Sequence, residues 1–245
     1  MQRCHAIEPQ LATNRYSRLV FWMTAFLMLF VFLGSRVLWS SEDRWAEVAR
    51  EMLLTGDFFH PTLNGSPYFD KPLLTYWLVL FCRLITGQLN EWTIRLPSAG
   101  LGLLVLWATI QLGYRLWTDE VGRTAGWILL STYGFLLWGR AGTAEMENLA
   151  AIVLAVLWYW LRRDKPNFIS YLVFYLICFL GSSCKGLASV VVPVLAVVPD
   201  VIREGRLRRT LNLSHLLALA IGSGIFLAPF LYASVSGERI LPMDY

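Results

Sequence analysis

Long apolar blocks alternate along the chain with short polar connections that are often basic. The blocks lie at residues 19–38, 97–117, 122–138, 148–161, 168–183, 186–201 and 213–235. They are continuous rather than spaced at i, i+3, i+4, which predicts helices that face lipid or other spans on every side. Several are at or below the ~17–25 residues of a crossing helix. An eighth block at 72–85 (PLLTYWLVLFCRLI) is shorter and carries Arg83. Its length suits an interfacial helix better than a span.

The longest polar stretch, 39–96, has a pattern of its own. Ser40 or Ser41 can cap a helix whose first turn holds Glu42 and Asp43. Trp45, Val48, Ala49 and Met52 then recur at i, i+3, i+4, i+7, opposite Arg44, Glu47, Arg50 and Glu51. That spacing predicts an amphipathic surface helix, with Gly56 as its stop. His60-Pro61 and Asn64-Gly65-Ser66-Pro67 predict turns. Asp70-Lys71-Pro72 opens the interfacial helix, with proline in a first-turn position.

Charge sets the topology. Arg15 and Arg18 precede the first block, which places the N-terminus in the cytoplasm. If 72–85 lies flat, Arg115/Arg123, Arg162/Arg163/Lys165 and Arg203/Arg206/Arg208/Arg209 fall on that same side. With Arg3, Arg15 and Arg18 this makes twelve cations inside, against Arg140, Lys185 and Arg239 outside. If 72–85 spans, every later cluster flips outward and the rule fails. The expected fold is therefore an all-α polytopic membrane protein of about seven transmembrane helices, with amphipathic juxtamembrane helices in the first outer loop. The divisions are a cytoplasmic N-terminus (1–18), a first transmembrane helix (19–38), an outer loop (39–96), transmembrane helices two to seven (97–235) and an outer C-terminal end (236–245).

Composition agrees. Of 245 residues, 56% are hydrophobic and 16% charged, against about a quarter charged in soluble domains. Eleven Trp and ten Tyr suit interfacial belts. The net charge of +4 would raise nucleic acid as a partner in a soluble protein. Here the basic residues punctuate apolar blocks, so membrane lipid is the expected partner and nucleic acid is not. Cys4, Cys82, Cys178 and Cys184 form no CxxC pair, and His5, His60 and His215 are scattered, so neither type sketches a metal site.

The flat-helix topology gathers acids and bases on one face. Glu42 and Asp43 are either helix-start acids or a general base at the membrane surface. Asp70-Lys71 is a surface ion pair, or a site where an acid helps hold a metal and the lysine meets a phosphate. Glu145 and Glu147 start a helix or supply a second acid. Lys185, between two apolar blocks, snorkels at a turn or serves a site with Arg140. These groups alone leave a lipid-using enzyme, a transporter and a scaffold open.

The loop narrows the choice. Ser41-Glu42-Asp43-Arg44-Trp45-Ala46-Glu47-Val48-Ala49-Arg50-Glu51-Met52, Thr55-Gly56-Asp57-Phe58, Tyr68-Phe69-Asp70-Lys71-Pro72-Leu73-Leu74-Thr75-Tyr76-Trp77 and Arg95-Leu96-Pro97-Ser98-Ala99 together resemble the first outer loop of the GT-C membrane glycosyltransferases of the protein O-mannosyltransferase-like superfamily. The likeness is strongest to the bacterial branch that transfers 4-amino-4-deoxy-L-arabinose to lipid A. The resemblance implies an inner-membrane enzyme with a periplasmic active face. It would take a sugar from a polyprenyl-phosphate carrier, its donor substrate, and pass it to a lipid, glycan or protein acceptor. It implies catalytic roles for Glu42 or Asp43, since the family's Asp-Glu pair has its Asp position at Ser41. It implies donor-phosphate or metal contacts for Asp70, Lys71, Glu145, Arg140 and Lys185, with Asp70 and Glu145 as the ligands of any divalent cation. Family members are longer, so the chain is expected to be an N-terminal half that ends in the outer segment. As such it is either part of the transferase or a non-catalytic membrane partner that binds a lipid-linked sugar.

Overall fold

A computed structural model describes residues 7–39 and 41–237. Ser40, most of the 236–245 end, and the readings on Arg3, Cys4, His5 and Arg239 lie outside the described residues. The described chain is helical, apart from one two-stranded hairpin.

The first helix, α1 (Ile7–Phe30), begins well before residue 19 and stops short of 38. Beyond it the chain unwinds, with Phe32 at φ 56°. The unwinding frees backbone carbonyls for two arginines from later in the sequence, as described below. Gly34 sits so close to Trp92 that an added Cβ would stand 2.9 Å from the tryptophan Cβ.

α2 (Glu42–Thr55) is the predicted amphipathic helix. Trp45, Val48, Ala49 and Met52 are all buried, and Gly56 ends it in the left-handed region, its amide donating to Met52 O at 3.0 Å. Ser41 stands at the cap position without a side-chain capping bond. Glu51 departs from the polar face where the pattern puts it. It is buried, accepting from Thr62 Oγ1 and from the Gly65 amide at 3.2 Å. Those donors belong to a hairpin folded over α2, β1 (Thr62–Leu63) and β2 (Ser66–Pro67), turned by Asn64 and Gly65 at φ 54° and 75°.

α3 (Leu74–Thr86) is the predicted short apolar helix. Its 13 residues reach ~20 Å, too short for a ~30 Å hydrocarbon core. α4 (Glu91–Leu116) starts earlier than its apolar block because the Asn90 side chain accepts from the Thr93 amide at 3.0 Å and caps it. The 122–138 block is two helices, α5 (Asp119–Ser131) and α6 (Tyr133–Gly139), parted at Thr132. The Ser131 and Thr132 hydroxyls both donate to Ile128 O at 2.9 Å, competing with the helical ladder there. α4 and α5 touch through glycine. A Cβ on Gly113 would lie 2.5 Å from Gly122 Cα, so neither position has room for a side chain.

α7 (Glu145–Arg162), α8 (Phe168–Lys185), α9 (Ala188–Arg203), the short α10 (Leu207–Thr210) and α11 (Leu213–Gly237) complete the bundle. One apolar core joins α1, α4, α6 and α7 around Leu29, Leu106 and Phe135. A second joins α7, α8, α9 and α11 around Tyr175 and Phe179. A third seats α2 and α3 on the start of α4 and on Ala144 and Cys184. Among the described residues, three helices are long and apolar enough to cross a bilayer: Glu91–Leu116, Phe168–Lys185 and Leu213–Ala233. The expectation of a polytopic all-α membrane protein holds. The other four expected spans are not established: the 122–138 block is parted at Thr132, α9 has only 16 residues, α7 carries Glu145, Glu147 and Arg162, and α1 takes in the polar residues before its apolar block.

Candidate active site at the first-loop end of the bundle

The start of α2, the unwound stretch after α1, the second turn of α4 and the segment between α6 and α7 meet at Glu42. Its carboxylate is 1% exposed and fully engaged. Arg95 donates to both oxygens, Nε to Oε1 at 2.9 Å and Nη2 to Oε2 at 2.8 Å. The Gly142 amide donates to Oε1 at 2.7 Å and the Trp39 amide to Oε2 at 3.2 Å. Arg36 lies 3.6 Å from Oε2. Arg95, also 1% exposed, uses its remaining hydrogens on the carbonyls of Leu33 and Arg36 at 2.8 Å and of Val37 at 3.0 Å. Each charge is thus paired and hydrogen-bonded, the condition under which burial is tolerated. A Gly142 Cβ would stand 2.4 Å from the Ile94 side chain, so the amide that reaches Glu42 needs glycine.

This constellation makes Glu42 a clamp. Burial acts to raise its pKa, but the Arg95 and Gly142 hydrogen bonds and the Arg95 charge outweigh it and hold the carboxyl below its ordinary value of 4.5. A group lowered by folding contributes stability that is complete above its ordinary pKa and lost as pH falls through its folded value. Thermal unfolding of the detergent-solubilised protein should therefore drop sharply below about pH 4, with little change from about pH 6 to 5. No drop below about pH 4 would show that the ionised Glu42 carboxylate adds nothing to stability.

Asp43, one residue on, is exposed and has no ion pair or hydrogen bond among the described residues. Asp70 and Lys71 form an exposed ion pair at 3.0 Å, which Tyr68 joins by donating to Asp70 at 3.2 Å. The neighbouring Lys71 lowers the Asp70 pKa. Glu145 and Lys185 pair at 2.8 Å, linking the first residue of α7 to the last of α8. Both pairs flank one apolar cluster, since Leu73, Ala144 and Cys184 are packed in it. Beside it runs an apolar groove of about 120 Å³ lined by Pro72, Leu73, Trp77, Leu180 and Pro229, with Ser183 at its side. Arg140 is held otherwise. Its Nη1 donates to Met28 O at 2.6 Å and its Nη2 to Val31 O at 2.9 Å, which completes the C-terminal end of α1. Glu147 is buried, its Oε2 without a partner among the described residues.

The metal expectation is not supported. Among the described residues no three His, Cys, Asp or Glu side chains come together as ligands. Asp70 and Glu145 are each neutralised by a lysine instead, a donor set that does not fit a hard divalent cation. Sequence reading missed Arg95, Arg36 and the burial of Glu51. Arg95 carries a signal that could have been read: a charged residue flush with an apolar run has a reason to be there.

A family model for dolichyl-phosphate-mannose-protein mannosyltransferases matches residues 70–232. Among curated proteins, the chain is 29% identical to the undecaprenyl phosphate-α-4-amino-4-deoxy-L-arabinose arabinosyl transferase 1 of Proteus mirabilis, over 86% of this chain and 40% of that protein. It is 32% identical to the corresponding transferase of Aeromonas salmonicida, over 85% of this chain and 39% of that one. Among solved structures, ArnT from Cupriavidus metallidurans superposes with a TM-score of 0.78 in its apo state, at 24% identity over 93% of this chain and 43% of that one. The same enzyme bound to undecaprenyl phosphate gives 0.75, at 25% identity over 89% of this chain and 41% of that one. The chain spans about two fifths of the length of these relatives. It belongs to the dolichyl-phosphate-mannose-protein mannosyltransferase family and, within it, is related to the bacterial aminoarabinose transferases.

Proposed function

We propose that the chain is the catalytic-loop portion of a membrane glycosyltransferase that takes a sugar from a polyprenyl-phosphate carrier. The reading includes seven spans, a cytoplasmic N-terminus and a periplasmic site in the inner membrane, as the distribution of Lys and Arg favours. The acceptor is a lipid, glycan or protein hydroxyl or phosphate. One observation carries it: two lysines, each steadied by a carboxylate, flank an apolar cluster beside an apolar groove. A long hydrocarbon carrier needs such a groove, and its phosphate needs cations at the end. ArnT in complex with undecaprenyl phosphate shows that a protein of this fold holds such a carrier.

The chemistry is a displacement at the anomeric carbon. The acceptor oxygen forms the new bond, the bond to the carrier phosphate breaks, and the electron pair leaves with the phosphate. Lys71 and Lys185 offset the charge gathering there. Asp70 and Glu145 hold those lysines in place. Asp43, the uncommitted carboxylate of the loop, takes the acceptor proton. Glu42 positions the loop, and Arg140 fixes α1 beneath it.

The test is binding and transfer by the purified chain. Undecaprenyl phosphate should be retained in native mass spectra more strongly than undecaprenol. Lys71→Ala should weaken retention about tenfold, the worth of one hydrogen bond to a charged group. Undecaprenyl phosphate-linked 4-amino-4-deoxy-L-arabinose should be consumed when acceptor lipid is present. Retention indifferent to the phosphate and to Lys71 would overturn the donor site. Retention without transfer would make the chain a carrier-binding partner.

A further inference from the structure

The opposite end of the bundle holds a second cavity, of about 220 Å³, which the transferase reading does not use. α7 starts at the Glu42 end and finishes here at Arg162; α8 starts here at Phe168 and finishes there at Lys185. Val194, Val197, Val201 and Phe174 form its inner wall, and α9 carries that wall about 10 Å into the bundle. Trp158, Tyr159, Tyr171 and Tyr175 ring it, as aromatic side chains do at a membrane interface. Arg162, Arg163 and Arg206 stand at its charged end.

These arginines are not equivalent. Arg163 is held by Asp200 at 2.9 Å and lies 4.4 Å over the Trp160 ring. Arg206 donates to Arg163 O at 2.7 Å and pairs with Glu204 at 3.3 Å. Arg162 has no carboxylate partner among the described residues. Its guanidinium rests over Trp158 at 5.0 Å. Lys165 and Arg203, at the same end, have no ion-pair partner among the described residues either. Asp164, Asp200 and Glu204 are spent on Arg163, Arg206 and the more distant Arg115. The mouth keeps a positive excess over an apolar interior.

We propose that this cavity binds an anionic phospholipid, one acyl chain lying along the valines of α9 and the phosphate set against Arg162 and Arg206. A soluble anion has no use for the valine wall, and a zwitterionic lipid carries an ammonium into a cationic mouth. Basic pockets between membrane helices recognise acidic headgroups on these terms. The inference rests on this end of the bundle and stands whether or not the transferase reading holds.

The purified chain would be titrated with phosphatidylglycerol, phosphatidylcholine and glycerol phosphate, with retained species read by native mass spectrometry. Phosphatidylglycerol should be retained preferentially and glycerol phosphate not at all. Arg162→Gln, at an exposed position, should weaken phosphatidylglycerol about fivefold. Val198→Trp, which fills the cavity, should weaken it without changing charge. Arg50→Gln at the other end should leave retention unchanged, and each variant's melting temperature would be checked against wild type. Equal retention of phosphatidylcholine, or no loss in Arg162→Gln, would overturn the proposal. Capture of glycerol phosphate alone would replace the lipid with a soluble phosphate.

Discussion

Arg95→Met is expected to lower the stability of the bundle by about 3–5 kcal/mol, the cost of leaving a buried charge without its partner. Glu42 loses both of its hydrogen bonds from the guanidinium, and the carbonyls of Leu33, Arg36 and Val37 lose their donors. The change should appear as a melting temperature several degrees lower in detergent. It should also reverse the acid response. With Arg95 gone, burial drives the Glu42 pKa up, so acidification from about pH 6 to 5 should raise the variant's stability while leaving that of the native protein nearly unchanged. A second change, Glu42→Leu, should recover the charge part of the loss but not the orphaned carbonyls and the Gly142 amide. Native-like melting of Arg95→Met would show that the pair is not what joins α2 to α4.

Asp43→Asn is expected to reduce transfer by roughly 10²–10⁴-fold, the range for removal of a positioned general base. Asparagine keeps the size and the hydrogen-bonding shape but cannot take a proton. Asp43 is exposed and makes no bond among the described residues, so melting temperature and carrier retention should not move. Glu42→Gln should behave differently, losing stability and, through the displaced loop, activity as well. The contrast separates a group that does chemistry from one that holds the chemistry in place. Full transfer by Asp43→Asn would return the base role to another group of the loop, Glu42 first among them.

Local pattern made some of this readable and could not reach the rest. The stripe Trp45, Val48, Ala49, Met52 fixed the buried face of α2, because a helix must bury its apolar side. Asn64-Gly65 marked its turn, because both residues accept positive φ. The lysine pairs stood where charge topology gathered them, though not their exact partners: Lys71 meets its neighbour, whereas Lys185 reaches back 40 residues to Glu145. Glu51 broke its pattern because a hairpin eleven to fourteen residues later supplies donors that no periodicity shows. Glu42 shows the same limit. Its acid motif was legible, but a guanidinium 53 residues away decides what the motif does.

The frayed end of α1 has a consequence for how the chain is made. Its last carbonyls are served by Arg95 and by Arg140, the latter up to 112 residues further along. At ordinary rates of synthesis that interval is roughly 5–20 s. During it the end of α1 carries backbone acceptors that only water or headgroups can satisfy. α1 is thus completed only once Arg140 has been made, and a ribosome paused between residues 95 and 140 would hold a half-latched intermediate.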